Sequence, residues 1–165
     1  MLIRGIKLED AEGFVSLVKQ VEESADFMMM EAGERTLSAE QQRKRIEQMK
    51  SGGNSTILLA EEDGKLVGYL IVVGGDAKRV LHRGYLVIGI LNEFRGQGIG
   101  TKLFSHLDDW AKAHHISRLE LTVVIQNEMA VALYKKSGFE IEGTKRNSLL
   151  IDNVFYDEYY MAKLL

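Results

Sequence analysis

Three glycines at alternate positions are the residues whose spacing most clearly indicates chemistry. They lie in the hexapeptide Arg-Gly-Gln-Gly-Ile-Gly at residues 95–100, between an apolar run at 85–91 and an amphipathic run at 101–114. These runs predict a strand and a helix. Glycine lets the backbone turn sharply and leaves its N–H groups uncovered. The unpaired N–H groups at the helix start converge where the helix dipole is positive, which predicts an anion site suited to a diphosphate.

Two familiar phosphate-binding motifs do not fit this spacing. A Walker loop ends in Gly-Lys-Ser/Thr, whereas here Gly100 is followed by Thr101 and then Lys102. The dinucleotide fingerprint G-x-G-x-x-G would place a glycine at position 103, where this chain has Leu103. The spacing alone leaves one alternative open, an ordinary glycine-rich turn between a strand and a helix.

A second segment supports a more specific interpretation. The hexapeptide matches Arg/Gln-x-x-Gly-x-Gly/Ala, and residues 127–139 match N-x-x-A-x-x-L-Y-x-x-x-G-F at every fixed position. These two patterns, in this order, are typical of the GNAT superfamily of N-acetyltransferases, which bind acetyl-CoA. The chain resembles that superfamily, particularly its branches that acetylate ribosomal proteins or small amines. The resemblance implies a single domain over residues 1–165 that transfers an acetyl group from acetyl-CoA to a primary amine by direct attack in a ternary complex.

The composition agrees with one globular domain. The 165 residues are 45% hydrophobic and 27% charged, which is ordinary for a chain that buries a core. A net charge of −3 suggests no general affinity for nucleic acid. Because cysteine is absent, disulfides, thiolate metal sites and an acetyl-cysteine intermediate are excluded, and we expect no metal site. No targeting segment or membrane-length apolar stretch is visible, so we expect no membrane partner and a cytoplasmic location.

The elements that must position these motifs first meander as strands and then alternate with helices. This order predicts an α/β protein, a mixed sheet with helices on its faces. The resemblance implies a mostly antiparallel central sheet whose fourth and fifth strands splay apart around the pantetheine arm. Strands are predicted at residues 2–7, 57–61, 65–73, 80–91, 119–125, 139–142, 148–151 and 154–164, and helices at residues 10–23, 38–50, 101–114 and 128–137. The dipeptides Asp63-Gly64 and Asp152-Asn153 predict hairpin turns. Asp10 is predicted to cap the first helix, and Ser38 with Gln41 forms a capping-box pattern at the second.

The resemblance also implies which residues bind acetyl-CoA. The diphosphate would lie on N–H groups of the glycine loop, and the pantetheine amides would pair with the central strand as an added strand does. Gly89 in that strand fits either a close approach of the cofactor or ordinary packing. The residues assigned to acetyl-CoA are Ile88, Gly89, Ile90, Arg95, Gly96, Gln97, Gly98, Ile99, Gly100, Thr101, Asn127 and Tyr134.

Tyr134 is the candidate catalytic residue, the general acid that protonates the leaving thiolate. A tyrosine has a pKa of ~10 and a thiol ~8.5, so this transfer is mildly uphill unless the site shifts these values. The alternative is that Tyr134 only packs against the cofactor. Asn127 likewise has an alternative role, because an asparagine at a strand end can simply cap the next helix.

The acceptor side of the site is less clearly marked. Some relatives that acetylate ribosomal proteins have a glutamate five residues before the asparagine, where this chain has Thr122. Glu120 lies two residues before Thr122 and faces the same side of that strand. Glu31 and Glu34 lie where this superfamily builds the acceptor pocket. Each glutamate is a candidate for binding the amine or relaying its proton, and a solvated surface charge is the alternative for each.

The rival function is a non-catalytic acyl-CoA-binding domain that senses the cofactor or regulates a partner. The intact Asn127 and Tyr134 favour an enzyme, because a sensor would need only the phosphate loop. The acceptor is then either a small amine or a protein N-terminus. Analogy with the superfamily also suggests a homodimer.

Overall fold

A seven-stranded sheet forms the centre of the molecule, which a computed structural model describes over all 165 residues. The strand order is β1-β2-β3-β4-β5-β7-β6, and every neighbouring pair is antiparallel except β4 and β5. This arrangement confirms the predicted mixed α/β sheet. The strands are β1 (Leu2–Gly5), β2 (Thr56–Glu62), β3 (Lys65–Gly74), β4 (Arg83–Ile90), β5 (Arg118–Val124), β6 (Glu140–Ile151) and β7 (Val154–Leu164), and the helices are α1 (Ala11–Ser24), α2 (Ala39–Gly52), α3 (Ile99–Ala113) and α4 (Glu128–Lys136).

Helices cover both faces of the sheet, and the alternation of β3 shows which face is which. Tyr69 of β3 meets Phe14 of α1 edge to face, with ring centroids 5.6 Å apart. The neighbouring Gly68 points the other way, because a Cβ placed there would lie 3.4 Å from the side chain of Ile99 in α3. From Gly68 onwards, odd-numbered residues of β3 therefore face α1 and even-numbered residues face α3. Before Gly68 the register of β2 and β3 shifts, and the Leu66 side chain lies towards Gly13 of α1. None of the helices is long and apolar enough to cross a membrane.

Two hairpins form at the dipeptides that predicted them. Asp63 and Gly64 connect β2 to β3 with φ angles of 47° and 78°. Asp152 and Asn153 connect β6 to β7 with φ angles of 49° and 61°. Positive φ at both central positions is typical of a type I′ turn, whose twist matches that of the strands it joins.

The predicted strands at 139–142 and 148–151 are wrong as separate elements, because β6 is one strand. It pairs with β7 on both sides of an irregularity between Lys145 and Leu149. Within this irregularity Asn147 has a φ of 50°, and its backbone N–H donates to Asp157 Oδ1 at 2.8 Å. A β7 side chain thus satisfies a backbone group that the ladder leaves unpaired, so the polar stretch stays on the sheet.

The central strand and the first helix also begin differently from the prediction. β4 starts at Arg83 rather than at residue 80, because Lys78–Val80 forms a 3₁₀ turn. Asp10 does not cap α1 through its side chain. Its carboxylate instead accepts hydrogen bonds from the Arg4 guanidinium at 2.7 and 2.9 Å and from the Lys7 N–H at 2.8 Å. The start of α1 is therefore fixed to β1 by an ion pair.

The Arg4–Asp10 pair predicts a pH-dependent contribution to stability. Hydrogen bonds from Arg4 lower the pKa of Asp10 below its usual value. A lowered folded-state pKa stabilises the protein above the unfolded-state pKa, and this stabilisation is lost as the pH falls through the folded-state pKa. We expect Asp10→Asn to reduce the free energy of unfolding at pH 7 by about 1–3 kcal/mol, with a smaller difference from wild type below about pH 4.

Chemical denaturation across this pH range measures the effect, and Glu9→Gln is the matched control. Glu9 is the neighbouring carboxylate, is exposed, and lies 3.9 Å from Lys7 Nζ. An equal loss in both variants, or a loss in Asp10→Asn that does not vary with pH, would contradict the assignment to the Arg4–Asp10 pair.

Candidate active site

The sheet opens between β4 and β5. These two parallel strands pair only from Arg83 opposite Arg118 to Tyr85 opposite Glu120. β4 stays paired with β3 up to Ile90, and β5 stays paired with β7 up to Val124. The second half of each strand therefore faces an opening in the sheet, which confirms the splayed fourth and fifth strands.

The open edge of β4 presents unpaired backbone groups. The Leu91 N–H donates to Val67 O at 2.9 Å, and the Gly75 N–H donates to Arg83 O at 3.1 Å. Because antiparallel pairs alternate, the odd-numbered residues of β4 direct their N–H and C=O groups towards β3, and the even-numbered ones direct theirs towards the opening. Of the three central-strand residues assigned to the cofactor, Ile88 and Ile90 offer polar groups to the opening, whereas Gly89 does not.

Gly89 has a clear packing role. A Cβ on Gly89 would lie 2.5 Å from the ring of Tyr69 and 2.6 Å from its hydroxyl. The regular register of β3 and β4 at this point shows no bulge. The structure therefore supports packing as the reason for this glycine, since only a hydrogen leaves room for the Tyr69 ring.

At the end of the opening, six consecutive backbone N–H groups are free. Arg95 donates its N–H to Asn92 O at 3.2 Å, and the next N–H that donates within the protein is that of Lys102, to Gly98 O at 3.1 Å. The N–H groups of residues 96–101 lie between these two and make no hydrogen bond within the protein. They stand at the start of α3, whose first turn contains no acidic residue. Free donors together with a helix N-terminus make this loop suited to an anion.

The three glycines of the loop serve two different needs. Gly96 and Gly98 have φ angles of 74° and 81°, and a Cβ on either would meet nothing within 4 Å. They are needed for the turn, and the space above them is open. Gly100 is helical and buried, and a Cβ there would lie 2.6 Å from Leu133 Cδ2. It is needed because α3 and α4 approach closely.

The side chains of the loop hold its shape from outside. Arg95 Nε donates to Ile90 O at 3.3 Å, and Gln97 Nε2 donates to Glu93 O at 3.2 Å. Both side chains are exposed, as is Lys102. The loop therefore presents its backbone towards the anion position, with cationic side chains around it.

Tyr134 lies within an aromatic cluster of α3 and α4. Its ring is 5.8 Å from that of Phe104 and 6.2 Å from that of Phe139, measured between centroids. Its hydroxyl makes no hydrogen bond within the protein. Among the fully buried side-chain oxygen and nitrogen atoms, only Asp108 Oδ1 lacks a hydrogen-bond partner. The Tyr134 hydroxyl, which also lacks one, is therefore not fully buried and still reaches open space. Burial raises the pKa of Tyr134 well above its ordinary value, and the nearby Tyr85 raises it further.

Tyr85 is the last residue of β4 that pairs with β5, and its side chain reaches Thr122 of β5 where the opening begins. Its hydroxyl and Thr122 Oγ1 share a hydrogen bond of 2.9 Å. Tyr85 is exposed and Thr122 is half-buried. Some relatives have a glutamate at the position of Thr122. In this chain the Thr122 hydroxyl is already hydrogen-bonded to Tyr85, and Tyr85 is also one cause of the raised pKa of Tyr134, after burial.

Asn127 caps α4. Its Oδ1 accepts a hydrogen bond from the Ala130 N–H at 3.4 Å, which is a long contact. The amide nitrogen of Asn127 makes no hydrogen bond within the protein. Capping therefore accounts for one end of this side chain and leaves its donor end free, so its predicted contact with the cofactor stays a prediction.

The three glutamates proposed for the acceptor side are engaged elsewhere or exposed. Glu120 accepts a hydrogen bond from Arg118 Nε at 2.9 Å, and Arg118 also pairs with Glu142. Glu31 and Glu34 are exposed and close a turn, in which the Glu31 N–H donates to Glu34 Oε2 at 3.2 Å. None of them has a carboxylate free and turned into the molecule, so their proposed roles stay predictions.

Sequence reasoning missed a charged pair on the α1 face of the sheet. Glu22 is 4% exposed and is held by Arg35 through bonds of 2.9 and 3.0 Å. Burial raises the pKa of Tyr69, whose ring covers Gly89; the charge of Glu22 raises this pKa further and that of Arg35 lowers it. A signal was present, because Glu22 follows the buried Val18 and Val21 on the apolar stripe of α1, where a carboxylate needs a partner.

Known proteins resemble the chain in sequence and in structure. Residues 19–139 match the Acetyltransferase (GNAT) family. The L-amino acid N-acetyltransferase AaaT of Escherichia coli (strain K12) is 33% identical over 65% of this chain and 67% of its own length. A Bacillus subtilis (strain 168) protein, named as a candidate ribosomal protein bS18-alanine N-acetyltransferase, is 36% identical over 54% of this chain and 57% of its own length. The crystal structure of a GNAT acetyltransferase from Streptococcus pneumoniae, 34% identical, superimposes with a TM-score of 0.95 over 99% of this chain and 98% of the other.

Gly98 and Gly100 are needed for different reasons, so we expect a substitution of Gly98 to impair binding and a substitution of Gly100 to impair stability. Gly98→Ala adds a Cβ at positive φ in open space, so the loop either carries the strain or turns its N–H groups away. We expect acetyl-CoA affinity to fall by about tenfold, the equivalent of ~1.4 kcal/mol. Gly100→Ala overpacks the α3–α4 contact, and we expect it to lower the free energy of unfolding by about 1–3 kcal/mol.

Calorimetry with acetyl-CoA and chemical denaturation, each applied to both variants, separate the two effects. The loop assignment fails if Gly98→Ala binds acetyl-CoA as tightly as wild type. The packing assignment fails if Gly100→Ala is as stable as wild type.

Proposed function

The chain belongs to the GNAT family of acetyltransferases, and we propose that it transfers an acetyl group from acetyl-CoA to a primary amine by direct attack in a ternary complex. The observation that carries this proposal is the row of free N–H groups at residues 96–101, at the end of an opening in the sheet. Nothing in the structure favours the rival function of a non-catalytic sensor.

The described residues fit acetyl-CoA. The free N–H groups at the start of α3 suit the diphosphate, and the open edge of β4 at Ile88 and Ile90 suits the amides of the pantetheine arm. Arg95 and Lys102 lie close enough along the chain to add positive charge around the loop. When bound, acetyl-CoA supplies the acetyl thioester whose carbonyl the amine attacks.

Tyr134 is the group best suited to protonate the departing thiolate. Its hydroxyl has no partner within the protein, still reaches open space, and belongs to the helix that packs directly against the start of α3. Its raised pKa keeps the hydroxyl protonated at neutral pH, and it also makes the transfer to the thiolate more uphill than between the free groups. Proton donation of this kind contributes about 10²–10⁴-fold in rate.

Polarisation of the acetyl carbonyl does not require a side chain. A backbone N–H of Ile88 or Ile90 on the open edge of β4 can donate to the carbonyl oxygen as charge develops on it. The chain has no cysteine and no other activated nucleophile beside the opening, which supports direct transfer without a covalent intermediate on the protein. The Tyr85–Thr122 hydrogen bond connects β4 to β5 at the place where their pairing ends and the opening begins.

The acceptor is an amine, and the names of the relatives indicate two classes. One is named for L-amino acids and another for the alanine of a ribosomal protein. A small amino acid and a protein N-terminus both present a primary amine, so the transfer chemistry is the same for both. A homodimer and a cytoplasmic location remain predictions from the sequence.

Removing the Tyr134 hydroxyl tests its role as the acid. We expect Tyr134→Phe to lower kcat by about 10²–10⁴-fold, with the dissociation constant for acetyl-CoA within about threefold of wild type, or ~0.7 kcal/mol. The measurements are thiol release against a panel of amines and calorimetry for the cofactor. Tyr159→Phe is the control, because it removes another half-buried phenol that makes no hydrogen bond. An unchanged kcat would remove the acid role but not the transferase.

The raised pKa of Tyr134 also predicts the shape of the pH profile. An acceptor amine must lose a proton before it attacks, so kcat/KM rises with pH. An acid whose pKa is raised above ~10 stays protonated as the pH increases. We expect kcat to reach a plateau and stay on it up to about pH 10. A descending limb below about pH 9 in wild type that is absent from Tyr134→Phe would mean that the functional pKa is lowered, contrary to this assignment.

A further inference from the structure

Glu22 is the only charged residue that the fold buries. It sits on α1 one turn after Val18 and directly after Val21, among residues that pack on the sheet. A buried carboxylate is strongly unfavourable without a partner. Its partner Arg35 lies 13 positions further along the chain, in the segment that connects α1 to α2.

The ion pair uses only one side of the Arg35 guanidinium. Nε lies 2.9 Å from Glu22 Oε1, and Nη2 lies 3.0 Å from Glu22 Oε2. A guanidinium has five N–H donors in a fixed fork. The edge formed by Nη1 and the second hydrogen of Nη2 makes no hydrogen bond within the protein. The Arg35 side chain is 28% exposed, against 3% for Glu22, so the free edge is the accessible one.

The free edge lies on the α1 side of the sheet, because Arg35 is bound to Glu22 of α1. Tyr69 of β3 projects to the same side, where its ring meets Phe14 of α1. Burial raises the pKa of Tyr69, the charge of Glu22 raises it further, and the charge of Arg35 lowers it. The Tyr69 hydroxyl lies beside Gly89, in the part of β4 that has separated from β5. It also makes no hydrogen bond within the protein. Two unpaired polar groups, a guanidinium edge and a phenol, therefore lie on the α1 side of the sheet, and the phenol is beside the opened part of β4.

The connecting segment that contains Arg35 is also held by apolar contacts. Phe27, in the same segment, meets Tyr156 of β7 with ring centroids 5.5 Å apart, and Met28 packs against the core. These contacts hold the start of the segment on the sheet, and the ion pair with Glu22 holds Arg35. A planar anion that accepts two parallel N–H bonds is the group that a guanidinium edge recognises best.

We propose that the free edge of Arg35 binds a carboxylate of the acceptor, so that this enzyme acetylates the amino group of a free amino acid or a similar small amino-carboxylate. The proposal rests on the proposed function, since it names the acceptor of that same site. Glu22 holds the guanidinium in place and leaves its second edge for the substrate. A peptide N-terminus has an amide in place of this carboxylate and cannot make the same bidentate contact.

The opposing interpretation is that the Glu22–Arg35 pair only anchors the connecting segment to α1. Both interpretations predict that losing Arg35 harms the protein, so the loss of activity alone does not separate them. The difference lies in which acceptors are affected. A carboxylate contact is lost only for acceptors that have a carboxylate, whereas a disordered segment harms every acceptor alike.

The experiment compares L-leucine with L-leucinamide in wild type, Arg35→Gln and Arg43→Gln, by acetyl-CoA-dependent thiol release. Arg43 is an exposed arginine on α2 and serves as the matched control. The amine of the amide has its own pKa, but this difference is the same in every variant and cancels when ratios are compared. We expect Arg35→Gln to lower kcat/KM for L-leucine by about 10–100-fold and to change that for L-leucinamide by less than threefold.

The proposal is overturned if both acceptors fall together in Arg35→Gln, or if wild type does not prefer the acid over the amide. Arg35→Lys keeps the charge and the ion pair with Glu22 but not the planar fork, so it covers the case in which Arg35→Gln does not fold. We expect it to raise KM for L-leucine more than for L-leucinamide. Turnover of amides or peptides with no role for Arg35 would leave the transferase standing, whereas no thiol release with any amine would end the proposed function itself.

Discussion

The short parallel contact between β4 and β5 is the constraint on which the rest of the molecule depends. After Tyr85 and Glu120 the two strands part, because each keeps its pairing on the other side. Backbone groups that a closed sheet would use internally are left unpaired along β4. Unpaired backbone groups in an interior are unfavourable, so the opening is suited to a ligand that has amides of its own.

The three sets of groups beside this opening come from different parts of the chain. The anion site is the turn into α3, the phenol of Tyr134 belongs to α4, and the Glu22–Arg35 pair connects α1 to the segment after it. Arg35 itself lies in the segment between α1 and α2, where the buried Glu22 holds it. Helices α1, α3 and α4 therefore position all three sets of groups, in the case of Arg35 through this ion pair.

Much of the fold was accessible from the sequence because local signals and tertiary contacts agree. The Asp63-Gly64 and Asp152-Asn153 turns, the Ser38–Gln41 capping box and the glycine loop all form where their residue types predict them. The prediction failed where a distant partner decides the outcome. The polar middle of β6 stays on the sheet because of Asp157 in the next strand, and Asp10 faces Arg4 instead of capping α1. The ion pair between Arg35 and Glu22 was likewise not predicted, because Arg35 lies 13 positions beyond Glu22 and outside α1.

The contact between Gly100 and Leu133 has a consequence for where the thioester of a bound acyl-CoA would lie. It brings the start of α3 against α4, so the distance from the anion site to the Tyr134 hydroxyl is fixed by packed side chains. The pantetheine arm of an acyl-CoA bound by its diphosphate at the anion site would span that distance, and its length is the same for every acyl group. The sulfur would then lie at the same place relative to the Tyr134 hydroxyl whatever acyl group it carries. The close approach of Gly100 and Leu133 therefore sets the position of the thioester without any contact to the acyl group itself.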